Sequence, residues 1–548
     1  MEELNDGLMF LPLGGTGEIG MNLNLYKCQG KWLAIDCGIG FGGSENPEVE
    51  VMMADPAFIA ERRDKLLGLI ITHAHEDHIG AVAHLWRQLR VPVYVTPFAA
   101  AVLRRKLSEA GLANEVPVHV IAPGGSFSLP PFELQFIQVA HSIPEAQALV
   151  LRTPFGTVLH TGDWKIDPNP VVGPPTDEAA FAKLGEEGVL AMVCDSTNAM
   201  VDGHSGSEAE VAESLERLID GLVGRVAVTC FASNVARVKT VALAAGKAGR
   251  HVALVGRSLR NLEAAARDTG YLKGVPEFVP EEDAGSIPDD ELLLLVTGSQ
   301  GEPRSALSRI SQDTHPNIAL GDGDTVIYSS RMIPGNEKSV MGVQDALVRR
   351  GVRVITDDEH LTHVSGHPAR NELRQLYALV KPRIAVPVHG EWRHMQAHAE
   401  LARSCGANPI LIEDGDVLQL AGNRPEVVDS APVGRLALDG NRLVRLDGEV
   451  LSARRRMLFN GVVLGSAAMD RAGRLVGTPQ VSAPGLFEQD DPEQRRVTAA
   501  FAEGLAGLPA GLRDDAEALT EAARSALRRA LGRRLQKKPV VDVHLLRV

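Results

Sequence analysis

The chain has 548 residues, of which 44% are hydrophobic and 23% charged, a balance that excludes a disordered or fibrous protein and suits two or three globular domains. Its net charge of −14 argues against nonspecific nucleic-acid binding over a large surface. Bound cations and locally clustered arginines and lysines would still allow a basic cleft. No apolar stretch approaches the roughly 18 residues of a membrane span, and the acidic start MEELNDGLMF is unlike a signal peptide, so the sequence predicts a cytoplasmic protein.

The first distinctive segment is the glycine-rich stretch from Gly14 to Gly20. We interpret it as part of a hairpin and not as a dinucleotide-binding loop, because the following segments LNLYKC and KWLAID have the character of strands where a helix would be required. Asp36 ends the second of these strands, and we expect it to orient a ligand or a turn.

The segment ITHAHEDHIG, residues 71–80, carries four side chains typical of metal ligands within six positions: His73, His75, Asp77 and His78. Such a loop can hold two neighbouring cations, one through the first pair of side chains and the other through the second. The preceding apolar run KLLGLIIT predicts a strand, so the loop lies at a strand end, where chemistry usually concentrates. The alternative, a solvated polar loop, does not explain four such side chains at this spacing.

A pair of zinc or manganese ions needs about four to five donors per ion and usually a bridging carboxylate, so further ligands must come from distant segments. Three more apolar strands end at suitable residues: FELQFIQVA before His141, VLHTG before Asp163 and RIAVPV before His389. Four strand ends that each carry a ligand type predict one shared metal centre.

A long insertion separates the last two of these ligands. His389 follows Asp163 by 226 positions (389 − 163), far more than a compact hydrolase needs between adjacent strands. Residues 215–355 contain repeated strand–helix units, such as GRVAVTC followed by VARVKTVALAAGKAG. This alternation predicts an inserted domain with a parallel sheet.

The ligand pattern resembles the metallo-β-lactamase superfamily, whose HxHxDH loop, later histidine, later aspartate and final histidine all have counterparts here. The resemblance implies an αββα sandwich that binds two divalent ions, Zn²⁺ or Mn²⁺, per subunit. It assigns one ion to His73, His75, His141 and Asp163, and the other to Asp77, His78, Asp163 and His389. Asp163 is therefore the implied bridge, and its implied catalytic role is to hold both ions.

The inserted domain, the segment His363-Val-Ser-Gly-His367 and the final His389-Gly resemble the β-CASP branch, which cuts nucleic acids. In that branch a histidine in the third motif, here His389, accompanies RNA substrates. FASN, GRS, TGSQGEP and SSRMIPGNE are most similar to bacterial ribonucleases of the branch. They imply a 5′-to-3′ exonuclease with some endonuclease activity, which acts in RNA processing and decay and prefers single-stranded RNA with a 5′-monophosphate.

When a phosphodiester bond of RNA is hydrolysed, the leaving 3′ oxygen needs a proton, so the enzyme should provide a proton donor. We expect His363 to donate it and Asp195 to orient that imidazole, because a carboxylate beside an imidazole raises its pKa and fixes its tautomer. The alternative for Asp195 is a cap of the turn that follows the strand LAMVCD.

The residues expected to bind RNA phosphates have small, polar or cationic side chains in tight loops or at strand ends: His363, Ser365, Gly366, His367, Ser233, Asn234 and, as further candidates, Arg257 and Ser258. A loop with exposed amides, a hydroxyl and a cationic ring suits an anion, although a tight turn alone would explain Gly366. For Ser233 and Asn234 the alternative is a cap on the next helix.

The resulting plan places the metallo-β-lactamase domain in two parts, 1–214 and 356–420, around a β-CASP domain at 215–355. A linker at 421–454 leads to a small C-terminal α/β domain at 455–548, to which the resemblance assigns dimerisation, so we expect a homodimer or tetramer. Some relatives hold a structural cation, for which Glu48, Glu50 and Asp439 are the candidates here; unliganded surface carboxylates are the alternative.

Three other functions are alternatives to an RNA nuclease. A β-CASP nuclease acting on DNA differs only in substrate, whereas a thioester hydrolase of the same superfamily should lack the inserted domain. An RNA-binding scaffold without catalysis should lack some of the ligands, and all seven are present. With aromatic residues at only 4%, base stacking should be sparse, which predicts weak sequence specificity.

Overall fold

The computed structural model describes residues 7–548 except 43–45, 47, 423, 489–490, 510, 512–514 and 533–536. The chain forms two compact units. One ends at Leu436, and the other comprises Ala437–Val548 together with Asn46–Glu48. Among the described residues, no helix combines the length and the apolar character needed to cross a membrane.

The first part of the larger unit starts with antiparallel strands and continues as a parallel sheet. Its elements are β1 (Leu8–Gly14), β2 (Leu23–Cys28), β3 (Lys31–Ile35), β4 (Ile39–Phe41), β5 (Val51–Ala54), α1 (Ala57–Ala60), a 3₁₀ turn (Arg63–Lys65), β6 (Leu66–Ile70), α2 (Glu76–Ile79), α3 (Val82–Leu89), β7 (Val93–Val95), α4 (Pro97–Glu109) and β8 (Val118–Val120). Strands β1, β2 and β3 pair antiparallel, while β6, β7 and β8 continue from β3 in parallel. The hairpin predicted around the glycine-rich stretch is confirmed, because that stretch connects β1 to β2.

A second sheet follows. It is built from β9 (Ser126–Leu129), β10 (Phe132–Gln138), β11 (Gln147–Thr153), β12 (Gly156–His160), α5 (Glu178–Glu187) and β13 (Ala191–Asp195). Strands β9 to β12 pair antiparallel, and β13 joins β12 in parallel. The loops that carry His141 and Asp163 leave this sheet after β10 and β12.

The inserted region is a parallel sheet with helices between its strands, as predicted. Its elements are α6 (Glu208–Asp220), β14 (Val226–Thr229), α7 (Val235–Lys247), β15 (His251–Val255), α8 (Arg257–Asp268), 3₁₀ turns (Glu281–Ser286 and Asp289–Glu291), β16 (Leu292–Val296), α9 (Ala306–Ser311), β17 (Thr325–Tyr328), α10 (Glu337–Val348) and β18 (Arg353–Ile355). The strand order is β15-β16-β14-β17-β18, with all neighbours parallel. All five residues of β16, LLLLV, are buried, which is typical of a parallel sheet covered on both faces.

The chain then returns to complete both earlier sheets. This segment holds α11 (Arg370–Val380), β19 (Ile384–Val388), α12 (Trp392–Ser404), β20 (Asn408–Pro409), β21 (Asp416–Gln419) and β22 (Glu426–Ser430). Strand β19 pairs with β13 in the second sheet, and β21 pairs with β1 in the first. Phe10, Phe136 and Val386 lie in one buried core between the two sheets, while helices α5, α11 and α12 cover the outer face of the second sheet. The predicted two-sheet sandwich is confirmed.

The smaller unit has its own hydrophobic core. From the unit boundary onward the chain forms β23 (Arg435–Asp439), β24 (Arg442–Arg445), α13 (Glu449–Asn460), β25 (Val462–Met469), β26 (Leu475–Ser482), α14 (Pro492–Ala506), α15 (Ala516–Gly532) and β27 (Val540–Arg547). Strand β25 is central between β26 and β27, and its inner face packs on Phe501 of α14 and Leu527 of α15. The stretch 421–454, which we predicted as a linker, contains strands β22, β23 and β24.

Candidate metal centre and anion pocket

The seven predicted metal ligands meet at the carboxyl ends of four strands. His73 and His75 follow β6, and α2 carries Asp77 and His78; His141 follows β10, Asp163 follows β12, and His389 follows β19. Their nitrogen and oxygen atoms fall into the two predicted groups, within 4.8 Å of one another in each: His73, His75, His141 and Asp163, and Asp77, His78, Asp163 and His389. That these groups hold metal ions stays a prediction, for which the atomic surroundings provide a test.

The first group consists of closely facing imidazoles. His75 Nδ1 lies 3.1 Å from His73 Nε2 and 3.0 Å from His141 Nε2. Burial lowers the pKa of His75 to about 4 and the pKa of His73 and His141 well below their ordinary value, so the rings are neutral. Neutral imidazoles whose nitrogens face one another suit a shared cation, which accepts several lone pairs at once.

The second group is built around Asp163, which is 2% exposed. Its Oδ2 lies 3.2 Å from His78 Nε2, and Asp77 Oδ2 lies 3.2 Å from His389 Nε2. Burial alone would raise the pKa of Asp163, but the imidazoles of His389 and His78 hold it well below its usual range. Asp163 Oδ1 is buried without a hydrogen-bond partner, so one oxygen of this carboxylate remains available to an ion. The donor set fits zinc or manganese, and Asp163 belongs to both groups.

The remaining ring nitrogen of four histidines is oriented by neighbouring groups. The contacts are His73 Nδ1 to Thr72 Oγ1 (3.0 Å), His78 Nδ1 to Asp36 Oδ2 (2.7 Å), His141 Nδ1 to the Gly366 carbonyl (2.6 Å) and His389 Nδ1 to Thr197 Oγ1 (3.1 Å). Such contacts fix the tautomer and the orientation of a metal ligand. The orienting role expected for Asp36 is confirmed. Gly366 is required at its position, because a Cβ there would lie 2.8 Å from His141 Cε1.

The predicted pairing of Asp195 with His363 is wrong. Asp195 Oδ2 instead lies 2.8 Å from His367 Nδ1, and its Oδ1 accepts a hydrogen bond from the Thr197 amide. Asn198 explains the difference, because its side-chain amide donates to Ser365 Oγ and to the His367 carbonyl and so fixes the turn that carries His367 to the metal groups. His367 Nδ1 is also 3.9 Å from Asp163 Oδ2.

His363 lies in a different pocket, next to the inserted domain. Its ring is 6.3 Å from that of Phe231, and its Nδ1 is shielded from solvent without a hydrogen-bond partner. Burial and the positive charges of Arg237, Arg331 and Lys165 lower the pKa of His363 well below its ordinary value. The surroundings are therefore positive, which suits an anion.

Two of the three charges around His363 are already neutralised. The buried guanidinium of Arg237 donates to both carboxylate oxygens of Glu208, and Lys165 Nζ lies 3.2 Å from Asp167 Oδ2. Arg331 has no ion pair among the residues that the structure describes, and it is exposed. Arg331 therefore contributes most of the uncompensated charge of the pocket. None of these three cations is among the predicted phosphate-binding residues.

The other predicted phosphate-binding residues have different environments. Ser365 Oγ accepts hydrogen bonds from Asn198 and from the His367 amide, so it stabilises the turn. Asn234 accepts a hydrogen bond from the Arg237 amide, which confirms the helix-cap alternative for this residue. Ser233 is half-buried beside it, at the carboxyl end of β14. Arg257 and Ser258 are exposed in the first turn of α8, at the same edge of the parallel sheet.

The structural cation site at Glu48, Glu50 and Asp439 stays a prediction, and each of the three carboxylates is paired with an arginine. Glu48 lies 2.9 Å from Arg455, Glu50 lies 3.3 Å from Arg304, and Asp439 lies 2.7 Å from Arg454. A guanidinium thus satisfies each negative charge without a metal ion.

Four family models match the chain in order. They are "Beta-lactamase superfamily domain" at residues 31–211, "Ribonuclease J, beta-CASP domain" at 223–347, "Zn-dependent metallo-hydrolase RNA specificity domain" at 351–412 and "Ribonuclease J C-terminal domain" at 449–548. The superfamily and branch inferred from the motifs agree with these matches.

Curated relatives are similar over nearly their full length. The chain is 45% identical to ribonuclease J of Sinorhizobium meliloti, covering 99% of this chain and 98% of that protein, and 39% identical to ribonuclease J of Mycolicibacterium smegmatis, covering 98% and 96%. A solved structure of a protein of unknown function from Enterococcus faecalis matches 75% of this chain and 100% of that chain with a TM-score of 0.52. At 16% identity that structure supports the fold alone.

Proposed function

The chain belongs to the ribonuclease J family, and on this premise we propose that it is a metal-dependent ribonuclease that hydrolyses RNA phosphodiester bonds from the 5′ end. The observation that carries the proposal is the pairing of two anion-directed features in one unit. Seven donor residues converge, and one of them, the buried Asp163, belongs to both donor groups. A positive pocket surrounds His363. The first feature suits a scissile phosphate, and the second suits a terminal one.

Two divalent ions are proposed for the two donor groups. His73, His75 and His141 would hold one ion, Asp77, His78 and His389 the other, and Asp163 both. When bound, such ions activate water as a nucleophile at neutral pH and neutralise charge on the phosphate oxygens. Either zinc or manganese suits imidazole and carboxylate donors.

The proton for the leaving 3′ oxygen is proposed to come from His367, in place of His363. His367 Nδ1 is held by Asp195, so the ring is oriented and its other nitrogen is directed away from the carboxylate. Burial would lower the pKa of His367, but Asp195 and Asp163 raise it, which favours a protonated ring. An oriented, protonated imidazole next to the metal groups suits a general acid.

The 5′-monophosphate preference is proposed to arise in the pocket around His363. A terminal phosphate carries more negative charge than an internal phosphodiester, so the uncompensated guanidinium of Arg331 and the free Nδ1 of His363 favour it. The carboxyl edge of a parallel sheet is a common position for ligands in open α/β folds. If the 5′ end of the RNA is bound in this pocket, hydrolysis at the two donor groups would occur at a fixed distance from that end and would release mononucleotides.

A direct test uses the purified protein with zinc or manganese and end-labelled single-stranded RNA. We expect release of mononucleotide from 5′-monophosphorylated RNA and much slower release from the 5′-triphosphorylated form. DNA of the same sequence and a thioester serve as competing substrates for the rival functions. An absence of RNA cleavage with either metal, alongside turnover of DNA or thioester, would contradict the proposal.

The contribution of Arg331 can be measured separately. Replacing Arg331 by alanine should lower the ratio of kcat/KM for 5′-monophosphorylated over 5′-hydroxyl RNA by about fivefold to tenfold, since an exposed charge–phosphate contact contributes on the order of 1 kcal/mol. Arg304, which is exposed and already paired with Glu50, provides the matched control when it is replaced by alanine. An unchanged ratio in the Arg331 variant would place the terminal phosphate elsewhere.

A homodimer in the cytoplasm, formed through the smaller unit, is also proposed. One face of its sheet packs on helices, whereas Leu464, Val476 and Leu546 are 46%, 45% and 62% exposed on the other. In the strand register Ala468 pairs with both Val476 and Leu546, so these three side chains lie side by side in one apolar patch. A second copy of the same patch would cover it.

Replacing Leu546 by glutamate should therefore convert the dimer to a monomer, because charged side chains would face one another across the two-fold axis. Sedimentation velocity at several protein concentrations measures the change. Val223, which is 79% exposed in the larger unit, is the control, and Val223→Glu should leave the dimer intact. A monomeric parent protein would contradict this interface.

A further inference from the structure

Glu145 is a buried carboxylate that belongs to neither of the two donor groups. It follows the predicted ligand His141 by four positions and is only 7% exposed. Its Oε2 accepts a hydrogen bond of 2.7 Å from the Phe98 amide in the first turn of α4, and its Oε1 accepts one of 2.9 Å from the Tyr271 hydroxyl. Tyr271 belongs to the inserted domain, so this carboxylate connects two parts of the larger unit.

The backbone of Glu145 indicates that its side chain is needed. Its φ is +59°, in the left-handed region where glycine or asparagine is usual and a glutamate is strained. Such strain persists only where the surrounding contacts impose it. Here these are a helix N-terminus, which favours a negative charge, and the Tyr271 hydroxyl.

The loop of Glu145 is tied to the metal ligands on both sides. Gln147, two residues later, donates from its amide to the Thr72 carbonyl at 3.1 Å and from its side chain to the Glu145 carbonyl at 3.2 Å. Thr72 immediately precedes His73, and His141 precedes Glu145 in the same loop. A displacement of Glu145 would therefore be transmitted to both ligand-bearing loops.

Tyr271 is fixed on the other side of the contact. Its ring meets that of Phe98 edge to face, with centroids 5.9 Å apart, and its amide bonds to the Ala266 carbonyl at the end of α8. Burial and the negative charge of Glu145 raise the pKa of Tyr271 well above its ordinary value, so the hydroxyl keeps its proton and donates. Helices α4 and α8 also make an exposed ion pair, between Arg105 and Asp268.

We propose that Glu145 and Tyr271 are positioning residues that hold the inserted domain at a fixed separation from the loop of His141. The inference rests on the proposed function, because the inserted domain contributes Phe231 and Arg331 to the anion pocket, whereas the metal donors lie on the sandwich. One nucleotide fits between a bound 5′ phosphate and the metal groups only at one separation. The Glu145–Tyr271 bond would therefore determine how well an anchored RNA reaches the reactive position.

The variants Tyr271→Phe and Glu145→Gln test this inference in the full-length, metal-loaded protein. Tyr271→Phe retains the ring contact with Phe98 and removes only the hydroxyl. Two substrates are compared: 5′-monophosphorylated RNA, which needs both the pocket and the metals, and bis(p-nitrophenyl) phosphate, which needs only the metals. We expect kcat/KM on RNA to fall about tenfold in each variant, as for the loss of a hydrogen bond to a charged group. Hydrolysis of the small diester should remain within about twofold of the parent, and the double variant should be no worse than either single one.

Two further variants sharpen the result. Asp268→Asn removes the exposed ion pair of the same helices and should change neither substrate by more than about twofold. Glu145→Gly suits a φ of +59° but lacks the carboxylate, so it should still lose RNA cleavage if the side chain matters. Parental rates on RNA for Tyr271→Phe would overturn the inference, and so would an equal loss on both substrates, which would indicate damage to the metal loop. If the parent protein hydrolyses the diester but not RNA, the proposed function fails and this role for the pair fails with it.

Discussion

Asp163→Asn should lower the rate of RNA cleavage at least about a thousandfold relative to the parent protein, because several kilocalories per mole of transition-state stabilisation depend on the metals. Asp163 is the one residue shared by both donor groups, and its Oδ2 lies 3.2 Å from His78 and 3.8 Å from both His73 and His141. Asparagine has the same shape but no charge, so neither ion would be held firmly. Metal analysis after gel filtration should show fewer bound ions per chain.

Asp177→Asn is the control for this variant. Asp177 lies in the same part of the chain but caps α5 through the Ala180 amide, away from the donor groups. It should retain parental metal content and RNA cleavage. Circular dichroism of both variants in chelator checks that the fold survives. Parental metal content together with parental rate in Asp163→Asn would refute a bridging role.

The convergence of these donor side chains could be predicted from the sequence because each donor segment follows a short apolar run. Strands β10, β12 and β19 run in the same direction in the second sheet, so their carboxyl ends share one edge, and β6 of the first sheet brings the fourth donor segment to it. The parallel inserted domain was predictable for a similar reason, since strands and helices alternate with a regular period.

The partner of Asp195 could not be predicted in the same way. His363 and His367 are separated by only three residues, and the sequence alone does not determine which ring faces the carboxylate. The turn at Ser365 and Gly366 decides it, and that turn depends on Asn198, more than 160 positions earlier in the chain. A contact of that range has no local sequence signal.

The partners of the carboxylates expected to bind a structural cation could not be predicted from the sequence either. The resemblance to relatives that hold a structural cation suggested this site, but each of the three carboxylates pairs with an arginine, such as Arg304 for Glu50. The roles of Arg331, Lys165 and Glu145 could not be predicted from the sequence. Lys165 and Glu145 lie outside the motifs, and SSRMIPGNE contains Arg331 without indicating its neighbours, because the surroundings of all three residues are assembled from several loops.

His367→Asn should reduce RNA hydrolysis by roughly a hundredfold to ten-thousandfold, the range for loss of a general acid, while metal content stays at the parental level. The reason is the leaving group: the 3′ oxygen of RNA needs a proton, whereas p-nitrophenolate leaves without one. Bis(p-nitrophenyl) phosphate should therefore be hydrolysed at close to the parental rate. A variant that loses both substrates and also loses metal would identify His367 as a ligand, in keeping with the donor group that it forms with Asp163, Asp195 and His389.

His363→Asn provides the matched comparison and separates the two histidines of one short segment. His363 lies in the positive pocket and makes no contact with Asp195, so its loss should lower the preference for a 5′-monophosphate but leave internal cleavage and the small diester near parental rates.

The pH dependence of the rate should also distinguish His367 from His363. Asp195 and Asp163 raise the pKa of His367, whereas burial and cations lower that of His363, so only the His367 variant should lose the alkaline limb of the pH–rate profile on RNA. Loss of that limb in His363→Asn would restore His363 as the proton donor.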